Sequence, residues 1–201
     1  MLLVIVDNIV AQEYALNPCD KGVEYYKKEM YDEAIAEFTM AIKINPGNNK
    51  DAYVRRGRAY VKKGYFEQAV SDYSKAIIYN PQNAEVLVSR GMAYSKLEKF
   101  EQAISDYSKA IKIKPSYAKA YINRAFAFGK LGEFTKAFSD YAKAIEIEPN
   151  NSKLYENRAL TYFLKQEYSK SWEDVHKVES LGEKMNGLFL FELRKVSERE
   201  K

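Results

Sequence analysis

The stretch that decides the fold is Gln68-Ala69-Val70-Ser71-Asp72-Tyr73-Ser74-Lys75-Ala76-Ile77. Nearly the same ten residues return at 102–111 and again at 136–145, so the period is 34 residues. Similarity at a fixed period of this length is typical of proteins built from repeated helical hairpins. The sequence therefore predicts an array of similar units.

Four proline steps extend the period along the chain, at Pro46, Pro81, Pro115 and Pro149. The first interval is 35 residues and the other two are 34. We number each unit from 1 to 34 with its proline at position 32. The predicted organisation is a leader over 1–14, five units at 15–48, 50–83, 84–117, 118–151 and 152–185, and a C-terminal capping helix over 186–201.

The same residue types recur at fixed positions of the units. Positions 8, 20 and 27 are mostly small and position 11 is aromatic. Position 24 holds Phe38, Tyr73, Tyr107, Tyr141 and Val175. Small residues allow two helices to approach closely, aromatic residues fill the space beside them, and apolar residues at i, i+3 and i+4 form one face of each helix. The proline stops the second helix. Each unit is thus predicted to be helix A at about positions 1–14 followed by helix B at about positions 15–30.

This pattern resembles the tetratricopeptide repeat family. The resemblance implies an all-α fold, a right-handed superhelical solenoid of antiparallel helix pairs, which the capping helix would close. Two features depart from the family. Position 4, often tryptophan, is never tryptophan here, and the fifth unit has Glu183 in place of the proline. We therefore expect a degenerate terminal repeat, in which Trp172 fills the core.

Bulk composition fits a soluble globular protein, with 46% hydrophobic and 30% charged residues. The net charge of +4 is a weak argument for nucleic-acid binding. A single cysteine, Cys19, excludes an internal disulfide and any cysteine-based zinc site. The apolar run from Met1 to Val6 is too short for a signal peptide or a membrane span. We expect this N-terminal segment to form a leader that packs on the first repeat. The presence of a single cysteine favours a reducing compartment and hence a cytoplasmic location.

Each unit carries a cation at position 7 and an anion at position 23. These pairs are Lys21 with Glu37, Arg56 with Asp72, Arg90 with Asp106, Arg124 with Asp140, and Arg158 with Asp174. The spacing predicts a ladder of ion pairs, within or between hairpins, with a structural role.

The resemblance also implies a concave surface lined by helix A, mainly by positions 2, 5, 6, 9, 12 and 13. The candidate groove residues are Tyr26, Arg55, Arg58, Lys62, Val88, Met92, Lys96, Ile122, Asn123, Phe126, Lys130, Asn157, Leu160 and Phe163. Residues on a solvent-facing wall do not pack in the core, so the apolar residues among them would have a role other than packing. An apolar strip beside basic residues favours a peptide with apolar anchors and some acidic character. Alternatively, the leader or the tail of the chain covers the strip.

Some family members hold the C-terminal carboxylate of chaperone tails. Asn123 and Asn157 match one element of that clamp, but Val88 and Met92 stand where lysine and asparagine are needed. Chaperone-tail binding is therefore not expected.

Catalysis has little support in the sequence. His176 is the single histidine, and the chain contains no phosphate-binding glycine loop, metal-ligand cluster or nucleophile motif. The sequence thus predicts a scaffold without cofactor or metal that binds a partner protein in the groove. One alternative is self-assembly through the Leu188–Phe191 stretch of the cap, which is more apolar than a simple cap needs. Nucleic-acid binding through Arg55, Arg58, Lys62, Lys96 and Lys130 is the least favoured hypothesis.

Overall fold

The computed structural model describes residues 17–45 and 49–197. These residues form eleven α-helices and no strand. They belong to two compact units that divide between Pro81 and Gln82. The predicted leader and Pro46 lie outside the described residues.

The first unit consists of two helical hairpins. Its helices are α1 (Pro18–Lys27), α2 (Tyr31–Ile44), α3 (Lys50–Lys63) and α4 (Phe66–Tyr79). Each helix packs on the next, so α2 and α3 join the two hairpins. Phe38 and Tyr73 are its largest fully buried side chains, and the other buried hydrophobic residues of this unit are alanines.

The second unit consists of three hairpins and a closing helix. Its helices are α5 (Ala84–Lys96), α6 (Phe100–Ile113), α7 (Ala118–Lys130), α8 (Phe134–Ile147), α9 (Ser152–Leu164), α10 (Tyr168–Ser180) and α11 (Gly187–Ser197). The first helices of the three hairpins, α5, α7 and α9, also contact one another in that order. The final helix packs on α10, and Leu193 is its fully buried residue.

Prolines end the second helices as the sequence predicts. Helices α4, α6 and α8 each stop two residues before Pro81, Pro115 or Pro149. The fifth unit has no such proline, and there α10 ends at Ser180, with Leu181 as its C-cap and Gly182 following at φ of 84°. A left-handed glycine is the other common way to stop a helix.

The turn inside every hairpin has one left-handed residue, always at position 15. These residues are Glu29, Gly64, Glu98, Gly132 and Gln166, with φ between 56° and 79°. The next N–H then bonds a carbonyl five residues earlier, as from Lys99 to Tyr94 at 2.9 Å. This is the Schellman arrangement. In three of the five hairpins the left-handed residue is not glycine, although glycine is the residue that adopts this backbone conformation most easily.

Position 8 lies directly against the aromatic ring at position 24. A Cβ atom added to Gly91 would stand 2.6 Å from the ring of Tyr107, and Gly22 and Gly57 face their rings equally closely. Sequence analysis predicted small residues there for close helix approach, and the structure shows that the ring itself fills the contact. The predicted all-α fold of antiparallel helix pairs with a C-terminal helix is confirmed.

Candidate partner-binding face

The predicted ladder of ion pairs is confirmed in four hairpins. In each, an arginine of helix A donates from Nε and Nη2 to the two carboxylate oxygens of an aspartate on helix B. The pairs are Arg56–Asp72, Arg90–Asp106, Arg124–Asp140 and Arg158–Asp174, with distances of 2.7–2.8 Å. The aspartate side chains are at most 9% exposed. Such buried, two-point pairs have a structural role within the hairpin.

The first hairpin departs from this rule. Lys21 and Glu37 both lie among the described residues, and no ion pair joins them there. Lysine has a single ammonium group on a flexible chain, whereas arginine offers a planar fork that matches a carboxylate. The prediction of a fifth pair is therefore wrong.

The ladder arginines make further contacts with the scaffold. The guanidinium carbon of Arg56 lies 5.8 Å from the ring centroids of Tyr53 and Tyr60. Its Nη1 donates to the hydroxyl of Thr39, in the preceding hairpin, at 2.9 Å. Arg124 donates to Ser108 in the same way at 2.9 Å. Arg56 and Arg124 thus each connect two consecutive hairpins, and their side chains have a structural role.

In the first unit, three of the predicted groove residues line a cavity of about 190 Å³. Tyr26, Arg55 and Arg58 line it together with three further residues, Val23, Lys27 and Phe38. Arg55, Arg58 and the predicted Lys62 are exposed on α3. The ring of Tyr26 is half-buried and packs edge-on against Tyr31, with centroids 5.5 Å apart.

In the second unit, position 9 places one apolar side chain on each of three adjacent helices. Met92 on α5 is 38% exposed, and Phe126 on α7 and Leu160 on α9 are partly exposed. Lys96 and Lys130 follow one helical turn later and are exposed. The ammonium group of Lys130 lies 5.7 Å from the ring centroid of Phe126. We call the surface formed by Met92, Lys96, Phe126, Lys130 and Leu160 the A face.

Two predicted groove residues are not on the surface. Val88 is 1% exposed and Ile122 is 3% exposed, so the expectation of a solvent-facing side chain is wrong for both. Ile122 belongs to the core cluster of the second unit, beside Ala125 and Tyr141. Position 5 therefore serves packing here, and the apolar strip is narrower than predicted.

The closing helix covers another part of the strip. The ring of Phe163 lies 5.6 Å from that of Phe189 on α11 and 5.8 Å from that of Tyr168. The chain's own tail therefore contacts the strip at Phe163, which stays half-buried. Asn123 donates its amide to the Lys119 carbonyl at 2.8 Å, and Asn157 is half-buried.

The surroundings of the remaining candidate functional residues, Cys19, Trp172 and His176, indicate structural roles. Burial raises the pKa of the Cys19 thiol, which disfavours the reactive thiolate. Trp172 packs on the core as predicted and donates from Nε1 to Ser197 Oγ at 3.3 Å, while His176 is exposed and stacks on its ring. No group of potential metal ligands occurs among the described residues. Over residues 17–45 and 49–197, no helix is long and apolar enough to cross a bilayer.

The list of candidate groove residues omits Val23, Lys27 and Phe38, although Val23 at position 9 and Lys27 at position 13 stand at positions that the resemblance assigns to the groove. Phe38 carries the aromatic signature of position 24, which marks it as core, and it is indeed 1% exposed. Val23 stands at position 9, equivalent to Met92 and Phe126. Its equivalence to those two side chains is the signal that could have identified it.

Comparison with known proteins supports the repeat assignment. Sequence models of the TPR repeat match residues 57–98 and 91–132. Models of the tetratricopeptide repeat match residues 118–151, 141–173 and 19–48. A search among curated proteins finds no match.

Solved structures share the fold at low sequence identity. A crystal structure of MamA is 24% identical and covers 80% of this chain and 94% of that one, with a TM-score of 0.71. YrrB, described as a TPR protein with an unusual peptide-binding site, is 20% identical over 85% of this chain and 87% of its own, with a TM-score of 0.67. TTC0263, a thermophilic TPR protein of Thermus thermophilus, is 23% identical over 89% and 94%, with a TM-score of 0.67.

The family models together cover most of the helical hairpins, and each solved relative has the same helical architecture. Within the matched ranges, the small and aromatic residues at positions 8 and 24 pack the two helices of a hairpin together, as Gly91 and Tyr107 do. This chain belongs to the tetratricopeptide repeat family.

Proposed function

We propose that the chain is a non-catalytic scaffold that binds a segment of a partner protein on the A face. The observation that carries the proposal is the row of Met92, Phe126 and Leu160, one on each of three adjacent helices and none fully buried. Their exposed apolar surface is not required by the core of the unit. Partly exposed apolar rows with a polar border are typical of protein-interaction sites. YrrB, which shares the fold, is described as having a peptide-binding site.

The spacing of the row favours a particular backbone conformation in the partner. Packed helices have axes about 8–10 Å apart. A polyproline II segment has three residues per turn and rises about 3.1 Å per residue, so every third side chain returns to one face after about 9.3 Å. A segment that crosses α5, α7 and α9 in this conformation would place residues i, i+3 and i+6 on Met92, Phe126 and Leu160.

Charge supports acidic residues beside those anchors. Lys96 and Lys130 lie four residues after Met92 and Phe126, which is about 6 Å along each helix axis. Both lysines are exposed, and neither makes an ion pair with a described residue. They would attract carboxylates on one side of the bound segment. Their contribution should weaken with added salt because exposed charges are screened.

A designed peptide series tests this proposal. We expect calorimetry to detect binding of a proline-rich peptide with leucine at i, i+3 and i+6 and flanking glutamates, and weaker binding when the leucines are two residues apart. The Phe126→Glu and Met92→Glu variants should lose binding, because each places a charge in the apolar row. Met40→Glu on α2 is the matched control, since Met40 is also exposed but lies on the first unit. Equal binding by the Phe126→Glu variant would refute the A face as the binding surface.

Self-assembly through α11 is a second candidate function, and one observation favours it. Leu188 is 72% exposed and Phe191 is 61% exposed, one turn apart on the same helix. Sedimentation of the wild type and a Leu188→Glu/Phe191→Glu variant tests this candidate. Oligomers that form with rising concentration and disappear in the variant would support it, and a monomer at all concentrations would refute it.

A further inference from the structure

The second helices of the first unit carry exposed apolar side chains near their C-terminal ends. Met40 and Ile44 on α2 are 55% and 69% exposed, and Ile78 and Tyr79 on α4 are 70% and 43% exposed. We call these four residues the B patch. We infer that the chain's own N-terminal segment, residues 1–16, docks on the B patch. This inference is independent of the A face, and it gives the predicted leader a specific binding surface on the first repeats.

The B patch departs from the repeat at two positions. Its residues occupy positions 26, 29 and 30, which are three or four residues apart and therefore neighbours on a helix surface. The four later hairpins have lysine at position 26, whereas the first has Met40. At position 29, Ile78 is the single apolar residue among the five units. Two apolar side chains thus stand where the repeat elsewhere has polar ones.

Position 30 is apolar in every unit, but its burial differs. Ile113, Ile147 and Leu181 of the second unit are half-buried. Ile44 at the same position of the first hairpin is 69% exposed. Grouped apolar side chains that remain exposed are typical of a surface that another segment or molecule covers. The B patch is therefore a docking surface, and its occupant follows from charge and reach.

The border of the B patch is basic. Lys43 and Lys75 are exposed beside it, and neither makes an ion pair with a described residue. Positions 26, 29 and 30 of α2 and α4 hold no carboxylate. An apolar segment with negative charge therefore complements this surface.

Residues 1–16 have that composition. They begin with the apolar run Met1–Val6 and continue with Ile9 and Val10. Their charged side chains are the carboxylates of Asp7 and Glu13, and they contain no lysine or arginine. Both the apolar surface and the sign of the charge match the B patch.

The N-terminal segment also ends close to the B patch. The described residues begin at Asn17, at the start of α1, so sixteen residues precede them. Helices α1 and α2 are antiparallel, which places the start of α1 beside the C-terminal end of α2, where Ile44 stands. Packed helices lie about 8–10 Å apart, so α4, two helices after α2, is within about 20 Å. Sixteen extended residues reach about 53 Å.

The free side of α1 is a poorer site for an apolar segment. In the later hairpins position 10 of helix A is at most 1% exposed, and its residues are Ala59, Ala93, Ala127 and Thr161. In α1 the residue at this position is Glu24, which is exposed. Position 3 shows the same contrast, since Asn17 is exposed and Ala52 is 1% exposed. The polar residues of α1 favour contact with water there, which leaves the B patch as the apolar surface within reach.

A photo-crosslinker in the B patch tests the contact. Ile78→p-benzoylphenylalanine in the full chain is irradiated, and the monomer is digested and analysed by mass spectrometry. We expect crosslinks to residues 1–16. The matched control is Lys112→p-benzoylphenylalanine, at the same position 29 of the third hairpin, which should give no crosslink to that segment.

Proteolysis supplies a second, independent measurement. Met40→Lys/Ile78→Lys introduces the residue that other hairpins carry at both positions, so the fold should persist, which far-UV circular dichroism verifies. The loss of two apolar contacts should release the segment and speed cleavage after Glu13 by endoproteinase Glu-C at least about tenfold, because proteolysis follows the population of the open state. Ala36→Lys/Ser71→Lys adds the same charges to the same helices at the exposed position 22 and should leave the cleavage rate unchanged.

Each other outcome would overturn the inference. Equal cleavage of the wild type and the Met40→Lys/Ile78→Lys variant would mean that the B patch does not hold the segment. Crosslinks confined to a dimer band would make a second copy the occupant. If the wild type but not this variant cosediments with phosphatidylglycerol vesicles, and residues 1–16 are not crosslinked, the occupant is a lipid surface. A Met92→Glu/Phe126→Glu variant should be cleaved like the wild type, which separates this test from that of the A face.

Discussion

Arg124 donates two hydrogen bonds to Asp140, from Nε to Oδ2 at 2.7 Å and from Nη2 to Oδ1 at 2.8 Å, while its Nη1 donates to Ser108 at 2.9 Å. These three residues lie on α7, α8 and α6, so one guanidinium joins three helices. The aspartate side chain is 9% exposed. Its contacts therefore bear on the stability of the fold more than those of the many surface ion pairs.

Removal of the carboxylate should be costly. We expect Asp140→Ala to lower the free energy of unfolding by about 3–5 kcal/mol, because the charge of Arg124 then stays half-buried without its partner. Glu146→Ala is the control, since both side chains of its pair with Lys143 are more than half exposed, and its loss should lower stability far less than the loss of Asp140. Urea unfolding measures both. Similar losses in the two variants would contradict the structural role of the ladder.

The hydroxyl contact between hairpins should also be measurable. Ser108→Ala removes the acceptor of Arg124 Nη1. We expect it to lower the free energy of unfolding by about 1 kcal/mol, which includes a small gain from the higher helix propensity of alanine. Ser105→Ala in the same helix has an exposed side chain and should show the gain alone. In the next hairpin the equivalent residue is Ala142, so Ala142→Ser would give Arg158 an acceptor. A loss in Ser105→Ala as large as that in Ser108→Ala would refute this account.

The hairpin turn predicts a stabilising substitution. Glu98 has φ of 56°, a conformation that costs a side-chain-bearing residue about 1–2 kcal/mol and glycine little. Glu98→Gly should therefore raise the thermal midpoint, with a net gain of about 0.5–1 kcal/mol after the entropy of glycine in the unfolded chain. Glu101→Gly, three residues later inside α6, should lower stability instead. Equal signs for the two variants would contradict the prediction.

Buried tyrosines should make the fold sensitive to alkaline pH. Burial raises the pKa of Tyr141, whose hydroxyl lies 3.0 Å from Thr161 Oγ1. The unfolded chain releases this proton at about pH 10 and the folded chain only at higher pH, so the stability present below pH 10 is lost as the pH rises. Between pH 8 and pH 11 the wild type should lose about 1.4 kcal/mol more than Tyr141→Phe. Parallel pH curves from urea unfolding would refute the assignment.

The period of the sequence predicted the hairpins and the ladder because both are encoded locally. Position 8 and position 24 meet within one unit, as Gly91 and Tyr107 do, so their residue types report the contact directly. Arg158 and Asp174 also meet within one unit, and their pairing follows from the same register. Even the fifth unit, which lacks the proline, keeps its two helices.

The candidate site was harder to predict, because exposure depends on neighbours outside the unit. Val88 and Ile122 stand at positions that the family resemblance assigns to a surface, yet both are buried. Phe163 meets Phe189, which lies in the non-repeated closing helix, and no period relates the two. The cavity near Arg58 arises from three helices together, so no single helix pattern reveals it.

The hydroxyl joint has a consequence for how such a chain evolves. Thr39 meets Arg56 and Ser108 meets Arg124 in the same way, so two hairpins offer their successors a similar hydroxyl connector. Tandem duplication of the 34-residue gene segment that encodes α5 and α6 would therefore give the new module a hydroxyl for the arginine that follows it. After α10 the same duplication would have to displace Phe189 from Phe163, which limits where the array can grow.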